Sequence, residues 1–141
     1  MTDSHRPNHF TDQEISYLNW QRLGRLATVN ADGQPHVVPV GFRYDPALGT
    51  IMVGGHNFAA SKKVRDIHAN PRVAFVVDDL ASINPWRVRG ITVRGVAELF
   101  TAGGAKIGPG FDPAFVRITP RLIITWGIET DQFDPVRRSI P

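Results

Sequence analysis

The first clear pattern in the chain is Thr11-Asp12-Gln13-Glu14, a capping box with Thr11 at the N-cap and Glu14 reaching back to it. Ile15, Leu18 and Trp20 or Leu23 follow as an apolar stripe, which predicts a first helix over roughly residues 12–21. The period then falls to two. Residues 24–29 read as a short strand, and Asn30-Ala31-Asp32-Gly33 as a tight turn. Residues 34–42 resume as a strand, with His36, Val38, Val40 and Phe42 on one face and Val37 on the other. Pro35 and Pro39 each lack an N–H, so an edge or bulged strand is predicted there. Asp45-Pro46-Ala47-Leu48-Gly49 makes the next turn, and residues 50–54 a third strand.

A helix is predicted over residues 60–68, closed by Asn70-Pro71 because a residue before proline avoids the helical region. An apolar run over 72–77 ends in Asp78-Asp79. Residues 91–100 form a long strand with Val93, Val96 and Leu99 toward the core. A loop punctuated by Gly103, Gly104, Gly108, Pro109 and Gly110 leads to a helical turn around residues 113–117, and residues 122–128 make the last strand. The tail from Thr130 to Pro141 is predicted to be poorly ordered or draped on a partner. About six hairpin-linked strands with two or three short helices predict a mainly β domain, a sandwich or barrel rather than a parallel sheet.

Composition narrows this picture. The 141 residues suit a single domain spanning 1–141, with an ordered core over about 10–130. Without cysteine, the chain has no disulfide, thiolate chemistry or cysteine-bound metal. Met1 to His9 is polar and offers no signal peptide, so the cytoplasm is the expected location, with no membrane partner. The net charge of +3 is spread over arginines from Arg6 to Arg138 with acids between them, which argues against a nucleic-acid partner and for attraction of small anions. The histidines offer no metal-ligand spacing: His36, His56 and His68 lie in different elements, and His5 and His9 precede the first helix. No G-x-G-x-x-G opens a helix after a strand, and no G-x-S-x-G is present.

Three segments carry candidate chemistry. In Gly54-Gly55-His56-Asn57-Phe58-Ala59-Ala60-Ser61-Lys62-Lys63, a glycine-ended strand runs into a helix whose start holds a hydroxyl and two ammonium groups. Free N–H groups at a helix start favour an anion, whereas lysine there opposes the helix dipole by roughly 0.3–1 kcal/mol per charge. A phosphate would offset that penalty; a solvated helix start is the plainer alternative. The hairpin around Pro35 to Phe42 could bed a planar ring or be an ordinary hairpin. Asn84-Pro85-Trp86-Arg87-Val88-Arg89 brings a tryptophan beside arginines, for stacking or for anchoring a barrel end. Asp78 and Asp79, adjacent in a strand, point to opposite faces and are not an acid–base pair.

In this order the pieces resemble the pyridoxamine 5′-phosphate oxidase-like, FMN-binding split-barrel family, over roughly residues 10–130. The resemblance runs through Gly24-Arg25-Leu26-Ala27-Thr28, Pro35-His36-Val37-Val38-Pro39-Val40, Ser61-Lys62-Lys63-Val64-Arg65-Asp66-Ile67, Asn70-Pro71-Arg72-Val73 and Gly90-Ile91-Thr92-Val93-Arg94-Gly95. Pro109-Gly110-Phe111-Asp112-Pro113 and Arg117-Ile118-Thr119-Pro120-Arg121 are similar to the small actinobacterial branch that uses the deazaflavin coenzyme F420. The resemblance implies a six-stranded antiparallel split β-barrel and a homodimer with two cofactor sites at the subunit interface. Ser61, Lys62 and Lys63 would hold the phosphate. Val38, Pro39 and Val40 would lie against the ring, with Gly54 and Gly55 allowing close approach, and Trp86 and Arg87 would reach the other subunit's site. The implied activity is an F420-dependent oxidoreductase passing a hydride to or from a small organic substrate. FMN on the same barrel, and a cofactor-carrying protein without turnover, are the alternatives. His36, His56 and Tyr44 are the candidate proton donors.

Overall fold

Antiparallel hairpins carry the chain around a closed sheet. A computed structural model describes residues 9–141, so His5 and Arg6 lie outside the described residues. The elements run α1 (Asp12–Trp20), β1 (Leu23–Val29), β2 (Pro35–Asp45), β3 (Thr50–Gly54), α2 (Lys62–Ala69), β4 (Arg72–Ser82), β5 (Arg87–Phe100), β6 (Phe115–Trp126) and β7 (Val136–Ser139). Six strands pair in the circle β1-β2-β3-β6-β5-β4, closed by β1 on β4 and β3 on β6, and β7 adds to the free stretch of β6.

The prolines of β2 are accommodated by a split in its pairing. Residues 35–41 pair with β1 and residues 41–45 with β3, so each half of the strand has one open edge. Pro39, paired opposite Arg25, therefore sits where only one side needs donors. A second irregularity bends the barrel at β6. Arg94 pairs with Leu122 but Gly95 with Pro120, which leaves Arg121 as an extra residue. Gly95 is required there, because a β-carbon would stand 2.2 Å from the Thr119 carbonyl oxygen.

The core fills the barrel with alternate residues of each strand, including Leu26, Val40, Phe42, Ile51, Val53, Phe75, Val77, Ile91, Val93, Val116, Ile118 and Ile123. Leu18 of α1 and Phe58, Val64 and Ile67 in and before α2 join it. Among the described residues no helix is long and apolar enough to cross a membrane.

Several sequence expectations are corrected by this architecture. Trp20 and Leu23 do not belong to the buried stripe of α1. They are 76% and 56% exposed, and Glu14 and Tyr17 are buried instead. Val96 faces outward, since the two-residue period that buries Val93 also buries Ala97. The helix after the glycines starts at Lys62 rather than at residue 60. A 3-10 turn at Phe58–Ala60 precedes it, and Ser61 between them is extended. No helical turn forms at residues 113–117, because β6 begins at Phe115 and pairs there with Phe100; the turn lies at Gly104–Lys106. The last barrel strand is consequently longer than residues 122–128.

The tail is ordered on the protein itself. Residues 136–139 pair with Leu122 to Thr125 of β6. Arg138 then bonds Glu14 through both its terminal nitrogens, one at 3.2 Å to Oε2. Glu14 also accepts from the Thr11 N–H at 3.0 Å, so one buried carboxylate caps α1 and anchors β7.

Candidate functional site

At the end of β3, Gly54 and Gly55 lead through Asn57, which takes the left-handed conformation at φ 51°, to the start of α2. The three predicted phosphate residues are close together but differently engaged. Ser61 Oγ donates to the Phe58 carbonyl at 2.7 Å. Lys62 Nζ donates to Asp66 Oδ1 at 3.0 Å, one helical turn on. Lys63 Nζ lies 5.3 Å from the centre of the Phe58 ring and has no acidic partner among the described residues. Burial holds the Lys63 pKa below its ordinary value.

Asp66 organises this end of the barrel. It is 3% exposed and accepts from Thr28 Oγ1 of β1 at 2.7 Å as well as from Lys62. Burial alone would raise its pKa. The hydrogen bonds from Thr28 and Lys62, with the charges of Lys62 and His36, outweigh that and hold it below the usual carboxylate value. His36 Nδ1 stands 3.7 Å from Asp66 Oδ2 and is a buried polar atom with no hydrogen-bond partner among the described residues. Sequence reasoning singled out Lys62 but missed Asp66 and Thr28. The spacing of four between Lys62 and Asp66 was a readable signal for the first; Thr28, 38 residues from Asp66 in sequence, left none.

The predicted ring-binding residues divide by face. Pro39 points outward beside Val37, which is 64% exposed, whereas Val38 is half-buried against the core and Val40 is buried. Gly54 pairs with Gly41 across β2 and β3. The space over both is taken by the protein's own glycine-rich loop. A β-carbon at Gly41 would stand 3.0 Å from Phe111, and one at Gly54 3.1 Å from Phe111 and Ile107. The loop is tied down by Asp112, whose N–H donates to the Gly55 carbonyl at 2.9 Å and whose carboxylate accepts from the Phe58 N–H at 2.7 Å. His56 packs edge-on against Phe111, with ring centres 5.4 Å apart.

Trp86 and Arg87 lie elsewhere, exposed at the tip of the β4–β5 hairpin. Trp86 does not plug the barrel end; its carbonyl accepts from Gln132 at 2.9 Å. The next arginine is fully engaged: Arg89 makes two bonds to Asp79, at 2.8 and 3.0 Å, and Tyr17 OH donates to the same carboxylate at 2.8 Å. Burial first, then the bond to Asp79, pushes the Tyr17 pKa well up, so it remains a neutral donor. Asp78 faces the other way and pairs with Arg25 at 2.5 Å.

Comparisons with known proteins agree with this fold. A family model described as pyridoxamine 5′-phosphate oxidase matches residues 10–123. The chain is 47% identical over 122 residues to a 5a,11a-dehydrotetracycline/5a,11a-dehydrooxytetracycline reductase of Streptomyces rimosus, covering 86% of each protein. A shorter match, 44% over 36 residues and 26% of each chain, is to an F420H2-dependent biliverdin reductase of Mycobacterium tuberculosis. Among solved structures, a conserved hypothetical protein of M. tuberculosis superposes with a TM-score of 0.65 at 23% identity, covering 99% of this chain and 98% of that one. That likeness is one of fold.

Proposed function

The chain belongs to the pyridoxamine 5′-phosphate oxidase family, and on that premise we propose that it is a reductase that uses coenzyme F420 to reduce a conjugated, oxygen-rich small molecule. The observation that carries the reading is the 47% identity, over most of both chains, to a reductase of dehydrotetracyclines. The coenzyme follows from the shorter match to an enzyme named for F420H2.

The residues fit a phosphorylated planar cofactor. Beside α2 lie Lys63, a cation without an acidic partner among the described residues, and a buried imidazole nitrogen of His36 that makes no hydrogen bond there and stands 3.7 Å from Asp66. An anion seated at Ser61, Lys62 and Lys63 would meet the Lys63 ammonium directly, while Lys62 would share its ammonium with Asp66 and Ser61 would have to release the Phe58 carbonyl. The outward face of β2 at Pro39, with the backbone of Val38 and Val40, offers a flat apolar bed, bordered at Gly54 by the Ile107 and Phe111 loop that packs over it. When bound, a reduced deazaflavin supplies a hydride to an activated double bond. The protein's share is to orient the ring, exclude water and hold the substrate close, which is how positioning lowers a barrier.

Exposed apolar side chains at Val37, Leu23 and Trp20, and at Ile83, Trp86 and Phe133 around the β4–β5 hairpin, are surface that a homodimer would cover. In it Trp86 and Arg87 would reach the cofactor of a second copy.

The test is a titration of the purified protein with F420 and with FMN, followed by mixing with reduced F420 and a 5a,11a-dehydrotetracycline. Tighter binding of F420 and oxidation of the reduced coenzyme are expected. Equal or tighter FMN binding overturns the choice of cofactor. Cofactor binding without oxidation by any conjugated acceptor leaves a carrier protein.

A further inference from the structure

Helix α1 ends beside the half of β2 that β1 does not cover. β1 stops opposite Gly41, so beyond that residue this edge of β2 faces Leu18 to Arg22. The glycine-rich loop closes the other side with Ile107, Pro109 and Phe111, leaving a cavity of about 710 Å³. This falls within the range of roughly 300–1,000 Å³ common for small-molecule sites.

We propose that this cavity between the end of α1 and the Phe111 loop is the substrate site, and that it takes a rigid, multi-ring molecule carrying an ionised oxygen. The proposal rests on the reading of the protein as a hydride-transferring reductase and adds where the substrate sits and what selects it. Location is the first argument. Gly41 follows Pro39 by two residues on the same outward face of β2, roughly 7 Å away at the rise of an extended strand. A molecule in the cavity therefore borders the bed proposed for the ring.

The second argument is the chemistry of the walls. Phe111, Pro109 and Pro46 present flat, hydrogen-bond-free surfaces that suit a fused ring system. Phe111 is held in place by the bare backbone of Gly41 and Gly54 beneath it, His56 beside it and the Asp112 anchors after it. The wall is built before any ligand arrives.

Charge is the third. Arg43 donates to the Lys106 carbonyl at 2.7 Å and so braces the loop, while keeping its charge. Arg22 has no ion-pair partner among the described residues and lines the same cavity. Arg22 and Arg43 both line this cavity, whose walls mix polar Asn19 and Gln21 with the ring and proline surfaces, and the guanidinium charge favours an anion such as an enolate or carboxylate.

The test measures equilibrium binding of oxytetracycline, an oxygen-rich, fused-ring probe, to the full chain by fluorescence anisotropy, without cofactor. Arg22→Gln and Phe111→Ala should each weaken probe binding by about tenfold or more while F420 affinity stays within about twofold. Phe111→Leu, which keeps the loop packed but removes the ring, should fall between, and it decides the matter if Phe111→Ala lowers the melting temperature. Lack of probe binding by the wild type, unchanged affinity in the Arg22 and Phe111 variants, or displacement of the probe by F420 would each overturn the site. Failure to bind F420, with probe binding intact, would instead sink the proposed function and leave the cavity assignment standing.

Discussion

Thr28 on β1 donates a 2.7 Å hydrogen bond to the buried carboxylate of Asp66 on α2, and so joins the barrel wall to the helix that carries both lysines. Its consequence is a pH-dependent stability. The folded pKa of Asp66 is depressed, so its contribution is fully present above the unfolded value, about 3.9, and is lost as pH falls through the lower folded value. Thr28→Val keeps the shape but removes one bond to a charged group, which costs about 1.5–3 kcal/mol. The variant should lose stability above pH 4 and begin acid unfolding at higher pH than the wild type. Asp79, whose pKa the Arg89 hydrogen bonds depress most, is common to both proteins, so the difference between two melting-temperature profiles isolates Asp66. Coincident profiles would sink the assignment.

Lys62 and Lys63 should not contribute equally to cofactor binding. Lys62 already shares its ammonium with Asp66, whereas among the described residues Lys63 has only the Phe58 ring. Lys63→Ala is expected to weaken F420 about ten- to hundredfold, the worth of one charge-assisted bond, and Lys62→Ala by less. Neither should alter binding of the phosphate-free deazaflavin. Because burial lowers the Lys63 pKa, affinity for the phosphorylated form should fade on the alkaline side earlier than an ordinary lysine would dictate. Unchanged affinity in the double variant would remove the phosphate from this end of the barrel.

Arg138 supports α1 from the far end of the chain. Its loss leaves Glu14 buried with its cap role but without its counter-charge. Removing one partner of a fully buried pair costs about 3–5 kcal/mol; Arg138 is partly exposed, so about 2–3 kcal/mol is expected for Arg138→Ala. Chemical denaturation measures it, and Arg138→Lys should recover part of the loss. A change below about 0.5 kcal/mol, ordinary for a surface substitution, would show the pair to be idle.

What the sequence made legible was local. The capping box at Thr11 and Glu14, the turn before Thr50 and the strand ending at Gly54 are written in neighbouring residues, and the structure places them as read. β7 was not legible. Its four residues are a strand only because β6 leaves an edge open and Glu14, 124 positions away, holds Arg138. The candidate site divides the same way. Adjacent lysines after a glycine-ended strand announce an anion, but Thr28 as the partner of Asp66 is a tertiary fact. Gly41 and Gly54 signal that something approaches the sheet closely; that Phe111 does so depends on how a fourteen-residue connection between β5 and β6 folds back.

Val37 tests whether two copies complete the site. It is 64% exposed on the outward face of β2, two residues from Pro39, where the proposed dimer would cover it. Val37→Asp puts a charge there without touching the core, since its neighbours Val38 and His36 face the other way. Burying an uncompensated charge in an interface costs several kcal/mol, enough to dissociate a dimer of ordinary affinity at micromolar concentration. Light scattering should show a dimer for the wild type and a monomer for the variant, with its melting curve still cooperative. If cofactor sites need both copies, F420 affinity should fall with the dimer. A wild-type monomer that binds F420 fully would reject the shared site, and a dimeric Val37→Asp would place the interface on another face.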